Sequence, residues 1–122
     1  MTTLTLGKKG EELVVDYIRQ LGFTLIAQNY RQRCGEIDII AQKDNTVAFI
    51  EVKLRQTTYF YLSEVITPAK QRKIIKTAHH FILFTGKQSD SLIYRFDVAL
   101  LELQKGEYSI TYIRDAFRKD CY

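Results

Sequence analysis

The chain has 122 residues, 46% of them apolar and 26% charged, with a net charge of +4. That suffices for one domain with a core of its own and is too short for two ordinary ones. No apolar run approaches the roughly 18 residues that would span a bilayer, and Cys34 and Cys121, the only cysteines, leave out a disulfide framework or a four-cysteine zinc site.

The N-terminus, Met1 to Gly7, lacks the charged start, apolar centre and cleavage site of a secretory signal. A reducing cytoplasm with no membrane partner is the expected setting. The modest positive charge favours polyanions only mildly, so its placement matters more than its sum.

From Glu11 to Leu21, residues Leu13, Val14, Tyr17, Ile18 and Leu21 recur at helical spacing, and Gly22 ends the run. Glu11 and Glu12 are expected to open this helix, where acids complement its dipole. Glu11 leans toward the stripe of Val14 and Ile18 while Glu12 faces water, so Glu11 has the better claim to a site. Phe23 to Tyr30 reads as a first strand, and Arg31 to Gly35 as a basic connector.

Cys34 to Arg55 holds two runs rich in Ile and Val around an Asp44-Asn45 turn signal, which predicts a β-hairpin. Alternation puts Glu51 and Lys53 on one face, roughly 6–7 Å apart, and Ala48, Ile50, Val52 and Leu54 on the other. Asp38 stands between Ile37 and Ile39 on the partner strand. An ionised group among such neighbours costs several kcal/mol unless it is paired or bound to metal.

Thr57 to Tyr61 is polar and aromatic and reads as a loop. Thr67-Pro68 then starts a second helix, with Thr67 as cap and a stripe of Ile74, Ile75, Ala78, Phe81 and Ile82. Leu92 to Leu103 and Tyr108 to Ile113 read as strands around a Lys105-Gly106 turn, and Arg114 to Tyr122 as a polar tail. The whole predicts one α/β domain spanning 1–122, its ordered core about 7–117.

An acid on one strand, followed on the next by acid, any residue, lysine, suits metal-assisted phosphodiester cleavage. Mg²⁺ or Mn²⁺ takes hard oxygen ligands, and Asp38, Glu51 and the Val52 backbone carbonyl can supply them. Lys53 can orient water or offset charge building on the phosphate. The plainer alternative is a cross-strand ion pair on a solvated face. Apolar neighbours on both faces argue against it.

The whole pattern resembles a known group. Gly10-Glu11, Asn29-Tyr30-Arg31, Gly35-Glu36-Ile37-Asp38, Phe49-Ile50-Glu51-Val52-Lys53, Lys70-Gln71-Arg72 and Arg95-Phe96-Asp97-Val98 look like the YraN-like family of predicted endonucleases. That family is placed in the PD-(D/E)xK, or restriction-endonuclease-like, superfamily and is similar to archaeal Holliday-junction resolvases. The resemblance runs from Gly7 to about Phe117 and implies a mixed central sheet flanked by helices. It implies Asp38 and Glu51 as metal ligands, Lys53 as catalytic lysine and Glu11 as the acid completing the site. Leu54 stands where the family usually has threonine, and Phe60-Tyr61 where a Phe-Gly step is common.

Arg31, Arg33, Arg55, Lys70, Arg72, Lys73 and Lys76 are candidates for phosphate contact, and Gln71 for a polar position near the metal. Tyr59, Phe60 and Tyr61 could stack on unpaired bases, though packing on the domain fits them better. Adjacent His79 and His80 point about 100° apart on a helix and are expected in surface or packing roles. The expected function is an endonuclease acting on structured or branched DNA, with a two-fold homodimer suited to cutting both strands. A non-catalytic nucleic-acid-binding module and a protein-interaction adaptor are the alternatives.

Overall fold

The register of one hairpin decides which side of the molecule each charged residue faces. The computed structural model describes residues 3–55, 66–86 and 90–119. Strands β2 (Gly35–Lys43) and β3 (Thr46–Arg55) pair antiparallel across Asp44-Asn45, with Lys43 opposite Thr46 and Ile39 opposite Ile50. Asp44 takes a φ of 53°, a conformation that Asp tolerates better than most residues.

Helix α1 (Thr3–Gln20) precedes strand β1 (Thr24–Gln32), which pairs antiparallel with β2. Helix α2 (Pro68–Thr85) follows β3 and carries the chain to β4 (Ile93–Gln104), which lies parallel to β3. Strand β5 (Glu107–Phe117) returns antiparallel to β4. The result is a mixed five-stranded sheet in the order β1-β2-β3-β4-β5, the α/β architecture expected.

The helices cover opposite faces. Ile74, Ile75, Ala78 and Phe81 of α2 pack on Ile40, Val47, Phe49, Val98 and Leu100. Val14, Val15 and Ile18 of α1 pack on Ile39, Ala41, Ala48, Ile50 and Ala99. Covered on both sides, β3 and β4 read as continuous apolar runs interrupted by few charges. Thr67 caps α2 as expected, its side chain accepting from Lys70 N at 3.3 Å, and Gly86 ends it with a φ of 68°.

Three boundaries differ from expectation. Helix α1 begins at Thr3, so Glu11 and Glu12 lie inside it and have no role in opening it. Strand β1 runs to Gln32, which takes Arg31 out of the connector and leaves Arg33-Cys34 as a tight turn. Strand β5 runs to Phe117 through a register break near Asp115 (φ 53°), so the supposed tail includes a buried aromatic stacked on Phe96 with ring centroids 5.1 Å apart. The aromatic stretch Thr57 to Tyr61 lies outside the described residues. Among the described residues no helix is long and apolar enough to cross a membrane.

Candidate active site

The β2–β3 ladder stops one step before its charged residues. Its last pair is Ile39 with Ile50, and one more step would set Asp38 opposite Glu51. There the strands part, and Asp38 Oδ2 accepts the Val52 N–H at 2.8 Å in place of a strand carbonyl. A side chain thus satisfies a backbone donor that the sheet has released. Both acids line cavities on each side of this gap. One of about 310 Å³ also involves Gly35, Glu36, Lys70 and Lys73. The other, about 250 Å³, involves Glu11, Val52, Lys53 and Leu54.

Two glycines bring the helices down on this point. A Cβ on Gly10 would lie 2.9 Å from Leu101 Cδ2, so the bare residue 10 lets α1 sit close over β4 with the Leu101 side chain in its present position, and Glu11 follows it into place. A Cβ on Gly35 would stand 3.0 Å from Thr77 Oγ1 and 3.4 Å from the Lys73 carbonyl, so α2 lies close over the start of β2.

Glu51 is a buried carboxylate, 6% exposed, on the face toward α2. Lys70 Nζ lies 2.8 Å from its Oε1 and Lys53 Nζ lies 3.6 Å from the same oxygen. Burial, then the charge of Glu51, pushes the Asp38 carboxyl up to about 7, against the pull of the Val52 N–H. Burial and the adjacent Lys70 lower the Lys53 ammonium below the usual lysine range. Burial is the largest influence on Lys70 and works against its charge, but its hydrogen bonds to Glu51 and Lys53 and the charges of Glu51 and Asp38 together outweigh this, and the net direction is upward. Glu11 is raised, mainly by burial, although Asn29 Nδ2 donates to its Oε2 at 3.3 Å.

A second buried acid shows what full compensation looks like in this fold. Asp97, 0% exposed, receives Arg95 Nε at 2.9 Å, Arg95 Nη2 at 3.0 Å, Tyr112 Oη at 2.5 Å and the Asp115 N–H at 2.9 Å. The register break that aims the Asp115 N–H at Asp97 belongs to this arrangement, while the Asp115 carboxylate pairs with exposed Arg118. Asp38, by contrast, has one backbone donor and a second carboxylate for a neighbour. A carboxylate pair so placed favours a cation between its members. The Asp97 cluster lies outside what was expected of the sequence. Its signal was an acid in a strand with an arginine two residues before, on the same face.

The remaining candidates divide. Lys70, a candidate for phosphate contact, stands in the acid cluster. Lys73 is exposed and lines the cavity beside it. Arg33, Arg72 and Lys76 are exposed, and Arg31 pairs with Glu36 at 3.4 Å. Arg55 Nη1 donates to the Leu54 carbonyl at 3.0 Å at the end of β3. Gln71 Nε2 donates to the Ile66 carbonyl at 3.1 Å, fastening the chain that enters α2. His80 Nδ1 lies 2.7 Å from Tyr30 Oη and its ring stacks on Phe84, a packing role as expected. Cys34 Sγ lies 3.4 Å from Thr77 Oγ1. Among the described residues no three His, Cys, Asp or Glu side chains converge as a metal-holding group, so the acid set is the pair Asp38 and Glu51. A larger cavity, about 430 Å³, lies at the other end of β4 over Tyr94, Phe96 and Phe117 and contains neither acid.

Known proteins match the chain over nearly its whole length. A UPF0102 protein of Chloroherpeton thalassium is 37% identical, covering 96% of each chain. One of Geotalea daltonii is 40% identical over 93% of this chain and 89% of its own. One of Clostridium botulinum is 41% identical over 93% and 94%. Residues 10–101, which include Glu11, Asp38, Glu51, Lys53 and Lys70, match the uncharacterised protein family UPF0102, and the chain belongs to that family.

Proposed function

We propose that the chain is a single nuclease-like domain of the PD-(D/E)xK, restriction-endonuclease-like kind, a metal-dependent endonuclease hydrolysing phosphodiester bonds in structured or branched DNA. The observation that carries this reading is the meeting of Asp38, Glu51 and Lys53 where β2 and β3 part. The donor set fits Mg²⁺ or Mn²⁺, since it consists of hard oxygens and Glu51 Oε1 already attracts a cationic group to 2.8 Å. A strand residue's N–H and C=O point to the same edge, so the Val52 carbonyl faces the same gap and could be a third ligand beside Asp38 and Glu51.

A divalent ion there would polarise the phosphate and make a nucleophilic water available near neutral pH. Lys53, partly desolvated and within 3.6 Å of Glu51, offsets negative charge gathering on the phosphate oxygens as water adds to phosphorus and the P–O bond breaks. Glu11, its carboxyl raised by burial, holds a water or takes its proton at the α1-side cavity. Exposed Lys73, Arg72, Lys76, Arg31 and Arg33 supply phosphate contacts around the opening. A two-fold homodimer in the cytoplasm would cut both strands symmetrically.

The test is a cleavage screen over branched and linear DNA with Mn²⁺, run beside Asp38→Ala and Lys53→Ala. Cleavage by the wild type that both substitutions abolish supports the reading. Equal cutting by all three marks a contaminant and ends it. Junction binding without cleavage would replace it with a binding module of the same fold.

A further inference from the structure

Two ammonium groups share one carboxylate oxygen at the candidate site. Lys70 Nζ stands 2.8 Å from Glu51 Oε1, and Lys53 Nζ stands 3.6 Å from it. Their anchorage differs. Lys53 rises from a central strand with its side chain 21% exposed, whereas Lys70 reaches in from the first turn of α2 and is 41% exposed. A Mg²⁺ ligand oxygen sits about 2.1 Å from the ion. An ammonium at hydrogen-bond distance from that same oxygen would lie within a few ångströms of a divalent charge, where repulsion is strong.

We infer that Lys70 is a tethered cation occupying the metal's place on Glu51, and that a divalent ion binds only by displacing it. The inference rests on the metal-site reading proposed above and adds a residue that regulates how readily that site loads. Lys70 is the group that moves. Its long stem and half-open position let it swing toward the cavity that it lines with Lys73, while Lys53 is held by the sheet. The helix itself need not shift, because Thr67 and Pro68 fix its first turn independently of the side chain. The apo protein is thereby spared a buried acid pair without a counter-ion, at the expense of metal affinity.

The test measures Mn²⁺ binding directly, by calorimetry and by loss of the free-ion electron spin resonance signal. Wild type, Lys70→Met, Lys70→Gln and Lys73→Met are compared, each with and without Asp38→Asn. Lys70→Met and Lys70→Gln are expected to bind Mn²⁺ about tenfold more tightly than wild type. Lys73→Met, which removes a charge from the same helix without touching Glu51, is expected to change affinity less than twofold. The glutamine variant keeps a donor for Glu51 and guards against a folding failure of the methionine one. Asp38-dependent binding that is unchanged or weaker in both Lys70 variants would overturn the displacement and leave the metal site standing. An equal gain in Lys73→Met would also overturn it. No Asp38-dependent binding in any variant would remove the metal site, and this inference with it.

Discussion

Replacing Asp38 by asparagine is expected to stabilise the metal-free protein at neutral and alkaline pH, although buried polar sites seldom reward such a change. The Asp38 carboxyl is raised from 3.8 to about 7 by burial and by Glu51. A carboxyl with a folded pKa above its unfolded one contributes fully below the unfolded value, and that contribution is lost as pH rises through the folded value. Wild type should therefore weaken steadily between about pH 4 and pH 7 and level off above. The gap is about three pH units at about 1.4 kcal/mol each, a ceiling of about 4 kcal/mol. Asparagine keeps an acceptor for the Val52 N–H but removes the negative charge that Lys53 and Lys70 feel at this position, so the net gain at pH 8 is about 2 kcal/mol. For a domain of this size that is roughly 6–10 °C in Tm. Thermal unfolding of both proteins in chelator, at pH 4.5 and pH 8, measures it. A variant less stable than wild type at pH 8, or a difference that does not change with pH, would refute the account of Asp38.

Other consequences follow from the packing. Phe117→Ala should cost about 3–4 kcal/mol in urea unfolding, because the ring is buried against Phe96; a loss below about 1 kcal/mol would contradict the described end of β5. Asp97→Ala should cost about 3–5 kcal/mol by leaving Arg95 and Tyr112 without their common partner, and an unchanged midpoint would show that the cluster contributes nothing. Lys73→Ala should lower the salt slope of DNA binding by about one while weakening all sequences alike; fluorescence anisotropy across a salt series checks this.

The central hairpin was legible because its signals agree: Ile and Val on alternate positions, a two-residue Asp44-Asn45 turn, and glutamate and lysine two residues apart. The same alternation gave Asp38, Glu51 and Lys53 a common location. Less could be read where backbone irregularity breaks periodicity. Asp115, at a φ of 53°, interrupts the pattern before Phe117, so the last turn of β5 looked like tail. In the sequence from Thr3 to Gly10 few apolar residues recur at helical spacing, which hid the true start of α1. Lys70 was legible as a residue of the second helix, but its pairing with Glu51 was not. Periodicity tells which side of a helix a residue occupies, but only the crossover from β3 through α2 to β4 decides what stands opposite it.

The Val52 amide donates to a side-chain carboxylate of β2 and not to a carbonyl of that strand. Its proton is consequently a gauge built into the main chain. The resonance of that single N–H will move when Asp38 gains or loses its proton, and its exchange with solvent will quicken if the carboxylate turns away toward an ion. One backbone signal thus reports the occupancy and ionisation of the whole cluster, with no label on any side chain and no substrate present.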